Sequence, residues 1–162
     1  MKYLPGIAAC LLLVLGCSSR ESVEWTPLDD LLARLNDPSA DLRYSALREI
    51  KEQGPGTAQK AVPQIIAALK DRDATVRYGA ALAVPLCGHE AAAAVPTLID
   101  MLQDKDPLVR AAAAAAFPAL GPKSREAVPA LQNLIQDREK RVREAATHAL
   151  KQIANNAKYS SS

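Results

Sequence analysis

The stretch "AVPQIIAALKDRDATVRYGAAL", residues 61–82, holds the joint that the rest of the chain copies. Val62, Ile65, Ile66 and Leu69 recur at helical spacing, a short aspartate-bracketed turn follows, and then Val76, Ala80, Val84 and Cys87 resume at offsets of 4, 8 and 11. Apolar residues returning every three or four positions put one face of a helix against a core. The stretch therefore reads as one amphipathic helix, a tight turn, and the start of a second. Residues 94–116, "AVPTLIDMLQDKDPLVRAAAAAA", repeat the arrangement one period later.

Working outward, three residue classes keep the same interval. Leu42-Arg43, Val76-Arg77, Val109-Arg110 and Val142-Arg143 are 34, 33 and 33 residues apart; Val62-Pro63, Val95-Pro96 and Val128-Pro129 are 33 and 33 apart; Gly54, Gly88 and Gly121 are 34 and 33 apart. A fixed period of this length marks a tandem array of supersecondary units. Gly88 and Gly121 follow the last apolar residue of a first helix, where a left-handed cap needs no Cβ. Each proline of the Val-Pro pairs suits the first turn of a second helix, where a missing N–H leaves nothing unpaired. Pro85 and Pro118 recur inside first helices and predict a bend there. Each unit is thus a two-helix hairpin, and about three or more must stack before the apolar faces are buried.

The turns "DPSADLR", "DRDATVR", "DKDPLVR" and "DREKRVR" each set an aspartate six residues before an arginine. An aspartate near a helix N-terminus satisfies unpaired N–H groups and the positive end of the dipole. An arginine one turn into the helix can meet a carboxylate, and stacking would bring such pairs into line.

The array resembles the HEAT-repeat family, in the short bacterial form known from phycobilisome lyases, over about residues 28–154. That resemblance implies an all-α, right-handed solenoid of stacked two-helix repeats with a period of 33–34 residues. It also implies a hydrogen-bonded ladder between neighbouring units, built here from Asp37, Asp71, Asp104 and Asp137 with Arg43, Arg77, Arg110 and Arg143, and we read all eight as structural. In the family the second helices line the concave, partner-binding side.

Composition agrees with a small-residue stack. The 162 residues are 49% hydrophobic and 23% charged, with one Trp, one Phe and four Tyr, so close helix approach must replace bulk in the core. Twenty Lys plus Arg against 18 Asp plus Glu gives +2, too near neutral to argue for a polyanionic partner. The six alanines at 111–116 read as a helix hemmed in on all sides.

The N-terminus carries an address. Lys2 precedes an apolar run from Leu4 to Gly16, which falls short of the ~20 residues that span a bilayer. Residues 1–16 read as a signal peptide. "VLGC", Val14 to Cys17, resembles the lipobox of bacterial lipoproteins, with Leu15 bulkier than the usual occupant. By that resemblance Cys17 becomes a diacylglycerol-modified, N-acylated terminus, and more than one acyl chain anchors stably. Ser18 then favours the outer membrane, so the expected location is the bacterial cell envelope, lipid-anchored and facing the periplasm. Residues 17–27 form the tether, with Trp25 read as covering the open end of the stack. Residues 155–162 are expected to be a disordered tail. The mature chain keeps only Cys87, so it cannot depend on an internal disulfide.

Chemistry is sparse. His89 and His148 lie about two units apart, no ligand spacing suggests a metal site, and no phosphate loop or serine elbow is present. Asp29 and Asp30 diverge around a helix. Cys87 occupies the slot of Leu120 and Ile153 and reads as a core thiol. The basic run at Arg138, Lys140, Arg141 and Arg143 is interleaved with Asp137, Glu139 and Glu144 and lacks a stacking aromatic, so nucleic acid is not expected. Neither catalytic residues nor a cofactor are expected.

What remains is surface. Gln64, Thr97 and Ala130 share one position on the second helices; Ala67, Asp100 and Asn133 the next; Lys70, Gln103 and Gln136 the third. We read them as one polar, nearly uncharged stripe suited to a protein or peptide, with Gln64, Lys70, Thr97, Asp100, Gln103, Asn133 and Gln136 as contact candidates. Tyr44 and Tyr78 either form a second patch or pack between units, the latter preferred. The expected function is a membrane-anchored scaffold; the alternative is an enzyme or pigment-attachment factor of the phycobilisome-lyase type.

Overall fold

The computed structural model describes residues 25–159. The signal peptide, Cys17, most of the tether and residues 160–162 fall outside that range.

Among the described residues the chain is all-α. The helices are α1 (Leu28–Arg34), α2 (Ala40–Gln53), α3 (Pro55–Lys60), α4 (Val62–Ala68), α5 (Ala74–Ala83), α6 (Val95–Met101), α7 (Pro107–Ala116), α8 (Val128–Leu134) and α9 (Lys140–Tyr159). Tight 3₁₀ segments, Val84–Ala94 and Phe117–Ala127, join α5 to α6 and α7 to α8. First helices α2, α5, α7 and α9 pack side by side in chain order, and each second helix (α1, α4, α6, α8) rests on the first helix that follows it. Among the described residues the array therefore opens on a second helix and closes on a first helix.

The first helices bend where the prolines predict. Pro85 and Pro118 stand in the first turn of the 3₁₀ segments, and the α-helices stop two residues before each proline, at Ala83 and Ala116. Lys51 and Lys151 occupy the same slot in α2 and α9, and those helices run through it. Gly88 and Gly121 then turn the chain at φ 61° and 62°, a region that side chains avoid. Ala154 takes the place of that glycine in the last unit, so α9 continues to Tyr159. The expected disordered tail is corrected accordingly: residues 155–159 are helical, because nothing in that unit breaks the helix.

The core repeats with the period. Ala46, Ala80, Ala113 and Ala146 are fully buried, as are Leu31, Leu98 and Leu131, while Ile65 in the same row is 1% exposed. Of the six alanines at 111–116, five are buried and Ala115 is exposed, so the helix is enclosed on most of its circumference rather than all of it. Tyr44 does pack between units: a Cβ added to Gly79 would sit 2.8 Å from the Tyr44 ring. Glycine inside α5 is thus the hole that receives the ring from α2. Trp25, read as covering the open end of the stack, is 51% exposed. The Gln53 side chain donates to the Thr26 carbonyl at 2.8 Å and holds that segment down.

Candidate functional site: the ladder and the second-helix face

Each turn between a second and a first helix is built around one aspartate. Asp37, Asp71, Asp104 and Asp137 each accept the backbone N–H two residues on, from Ser39, Asp73, Asp106 and Glu139, at 2.8–2.9 Å. This shapes the turn. In the two inner turns a second aspartate caps the helix: Asp73 accepts from the Thr75 N–H and Asp106 from the Leu108 N–H. The D-x-D spelling of those turns was the signal for this division of labour, which sequence reading assigned to one aspartate alone.

The arginine six residues on makes two sets of bonds. Its Nη1 donates back to two carbonyls of its own turn, as Arg77 does to Asp71 and Arg72 at 2.8 and 3.1 Å. Its Nε and Nη2 form a fork on the carboxylate of the next turn: Arg43 on Asp71, Arg77 on Asp104 and Arg110 on Asp137, all at 2.7–3.0 Å. Paired, planar contacts of this kind are among the stronger hydrogen bonds available to a protein. The side chains are no more than 14% exposed, so solvent weakens them little.

Electrostatics follow the geometry. Burial by itself would raise Asp71 and Asp104, but the arginine forks, the backbone N–H groups and neighbouring positive charges hold both below the ordinary carboxylate value. Asp137 is lowered chiefly by its hydrogen bonds from Arg110. Their hydrogen bonds in turn raise Arg43 and Arg77.

Six of the eight expected ladder residues are brought together in these three pairs. The two end members are not: among the described residues the Asp37 carboxylate accepts from the Ser39 N–H with no arginine fork on it, and Arg143 uses Nη1 on the Asp137 and Arg138 carbonyls with no carboxylate on its fork. The reason is register. Each arginine reaches forward by one unit, and among the described residues no unit stands before the turn of Asp37 or after that of Arg143.

Asp100 and Asn133 are exposed on the second helices as expected, together with Ala67, whereas Lys70, Gln103 and Gln136, also exposed, lie in the turn just past each helix rather than on it. Thr97 is not: it is 8% exposed and belongs to the buried set. Gln64 is half-buried, and its Oε1 is enclosed with no hydrogen-bond partner among the described residues. Three residues rotate a helix by about 60° short of a full turn, so three successive rows sweep about 120° and cannot all face outward. The Gln64/Thr97/Ala130 row lies beside the buried Ile65/Leu98/Leu131 row and is drawn inward with it. Gln64 opens on a cavity of about 220 Å³ between α1 and α4, lined also by Leu35, Asn36, Ala67, Ala68 and Asp71.

Cys87 is 1% exposed, with its Sγ 3.6 Å from the Ala58 and Ala83 carbonyls. Burial, with Glu90 nearby, pushes its thiol up to about 11, which keeps it in the unreactive form. Among the described residues no group of three His, Cys, Asp or Glu side chains could hold a metal ion.

Residues 28–118 and 95–161 match the HEAT repeats family. The chain belongs to it. Several solved structures share its fold. An engineered protein shares 21% identity with a TM-score of 0.66, over 80% of this chain and 63% of that one. Human deoxyhypusine hydroxylase, solved with glycerol, shares 27% with a TM-score of 0.60, over 80% of this chain and 44% of the enzyme. The CpcE and CpcF complex of phycocyanin lyase from Nostoc sp. PCC7120 shares 22% with a TM-score of 0.63, over 75% and 78%. This HEAT chain therefore spans less than two thirds of the first two relatives. No protein of curated function matches it in sequence.

Proposed function

We propose that this HEAT array is a lipid-anchored scaffold of the bacterial cell envelope that holds a protein or peptide partner on its second-helix face. The observation that carries the reading is the row of exposed, mostly uncharged side chains presented once per repeat: Lys70, Gln103 and Gln136, beside Ala67, Asp100 and Asn133. A ladder-locked stack keeps such a row at fixed spacing, which lowers the ordering cost of binding an extended segment. The cavity beside it adds a buried acceptor, Gln64 Oε1, that a partner's N–H would satisfy. Anchoring rests on Gly16-Cys17 and the short apolar run before it. The lyase and the engineered protein are under 25% identical and share only the fold, so no activity is carried over from them.

Photo-crosslinking residues placed at Gln103 and at Gln136 in intact cells should trap one and the same partner, and Asp100→Lys should abolish the trap. Absence of a reproducible partner from both positions would remove this reading. Separately, Cys17→Ser should release the protein from membranes; unchanged membrane association would remove the anchor.

A further inference from the structure

The cavity between α1 and α4 exists because two side chains there are short. Ala67 and Ala68 take the slots of Asp100 and Met101 one period on, and of Asn133 and Leu134 two periods on. Met101 packs into the core at 5% exposure, whereas alanine at its slot in α4 leaves about 220 Å³ open beside Gln64. That is several times the ~30 Å³ share of one water molecule, so the space admits a whole polar side chain.

Its polar lining asks for donors. Gln64 Oε1 is enclosed and has no hydrogen-bond partner among the described residues. An enclosed acceptor left unpaired destabilises the unoccupied state. Asp71 Oδ2 takes one bond, from Arg43 Nε at 2.8 Å, while Oδ1 takes two, and a carboxylate oxygen can accept two. Asn36, exposed at the rim, gives its Nδ2 to the Leu32 carbonyl at 3.2 Å and keeps its Oδ1 as an acceptor.

Charge selects among donors. Asp71 is already neutralised by the Arg43 fork, and the exposed Lys70 and Arg72 stand on either side of it in the chain. A cation entering the cavity sheds water and meets no uncompensated carboxylate among the lining residues, which makes its burial costly. A primary carboxamide brings two N–H donors and no charge. Leu35, Ala67 and Ala68 supply an apolar wall for the methylene stem that carries it.

We propose that this cavity receives the side-chain carboxamide of a glutamine or asparagine from the peptide held on the second-helix face. One N–H goes to Gln64 Oε1 and the other to Asp71 Oδ2 or to Asn36 Oδ1 at the rim. Among α4, α6 and α8 only α4 carries the alanine pair, so the pocket fixes where along the repeats that peptide sits. The source of the carboxamide rests on the scaffold reading above; the pocket and its preference do not.

The probe is Nα-acetylglutamine methylamide, titrated into the isotope-labelled full chain in detergent micelles, with the Gln64 side-chain and Ala68 backbone signals followed by NMR. Both should shift saturably, with half-saturation on the order of 10 mM for so small a group. Gln64→Met removes the acceptor at nearly constant volume, and Ala68→Met fills the space as Met101 does one period on. Each should weaken binding about tenfold or more, a loss of one decade in affinity, read from the signal that remains. Circular dichroism should show both variants folded, and Gln64→Met should melt no lower than wild type, because it loses an unpaired acceptor. The glutamate and lysine counterparts of the probe should leave both signals in place. An equal shift from either counterpart overturns the carboxamide assignment. So do a glutamine probe that shifts nothing, binding that survives Ala68→Met, and a lower melting temperature for Gln64→Met, which would mean that the amide already has a partner. The peptide is read separately, by photo-crosslinking from Gln103 in cells that carry Ala68→Met, where the trap should be lost. A trap that persists there overturns the proposal and leaves the scaffold reading standing; a trap absent even from wild type, with the probe still bound, removes the scaffold reading and leaves the pocket's preference standing.

Discussion

The inner turn at residues 104–110 and the outer turn at 37–43 are spelled almost alike, yet they do different work. Asp104 is gripped by Arg77 from the unit before, and Arg110 grips Asp137 in the unit after. Among the described residues Asp37 holds its own turn alone. The apolar side shows the same contrast: Val109 is sealed, and Leu42 is 44% exposed. In a repeat protein a residue's contribution is therefore set by whether a neighbour exists on the correct side, more than by its place in the motif.

The largest expected effect tests that contrast in the core. Phe117→Ala should destabilise by about 4 kcal/mol, the range for a fully buried aromatic, whereas Leu150→Ala at the equivalent slot should cost roughly half as much; urea melts of the two variants compare them directly. Equal losses would mean that α9 is as enclosed as α7. Next, Asp104→Asn leaves the Arg77 guanidinium facing a neutral amide in a buried site and should cost about 3 kcal/mol. Asp37→Asn retains an acceptor for the Ser39 N–H and should cost well under ~1 kcal/mol.

A smaller effect concerns Tyr44 and Gly79. Alanine in place of a helix-interior glycine ordinarily gains about 1 kcal/mol, but here its Cβ would enter the space of the Tyr44 ring. Gly79→Ala should therefore be destabilising alone and stabilising in a Tyr44→Ala background. A double-mutant cycle that shows the same sign in both backgrounds would deny the inter-unit contact. The smallest effect is in acid. Asp71, Asp104 and Asp137 are held below their ordinary value of 3.8. Their contribution is accordingly complete above that value and drains away as pH falls through the lower folded-state values. Stability attributable to the ladder should be flat from neutrality to about pH 5 and decline below ~pH 4; Asp104→Asn should make that decline shallower.

Much of this was legible in the chain because repetition amplifies weak local signals. Val76, Val109 and Val142 identify the buried face, and glycines at 54, 88 and 121 mark the turns, each supporting the others. The arginine forks were legible in identity, and a ladder between neighbouring units came with the family resemblance, but its forward direction was decided by the structure. Thr97 was misplaced because three-residue spacing was treated as a single stripe, although each step rotates the helix. The helical continuation past Ala154 was missed because a polar tail has no apolar period, even though the absence of glycine there was in plain view.

By itself the sequence determined the hairpin, its period, the bends at Pro85 and Pro118, and which residue types meet at each turn, since all of these depend on spacing along one chain. Tertiary structure decided which members of each equivalent set are enclosed: Leu102 but not Ile135, Val142 but not Leu42, the Arg110 fork but not that of Arg143. The physical reason is that burial and ion pairing in a stack are properties of two adjacent units, and a motif carries no record of whether its neighbour is there.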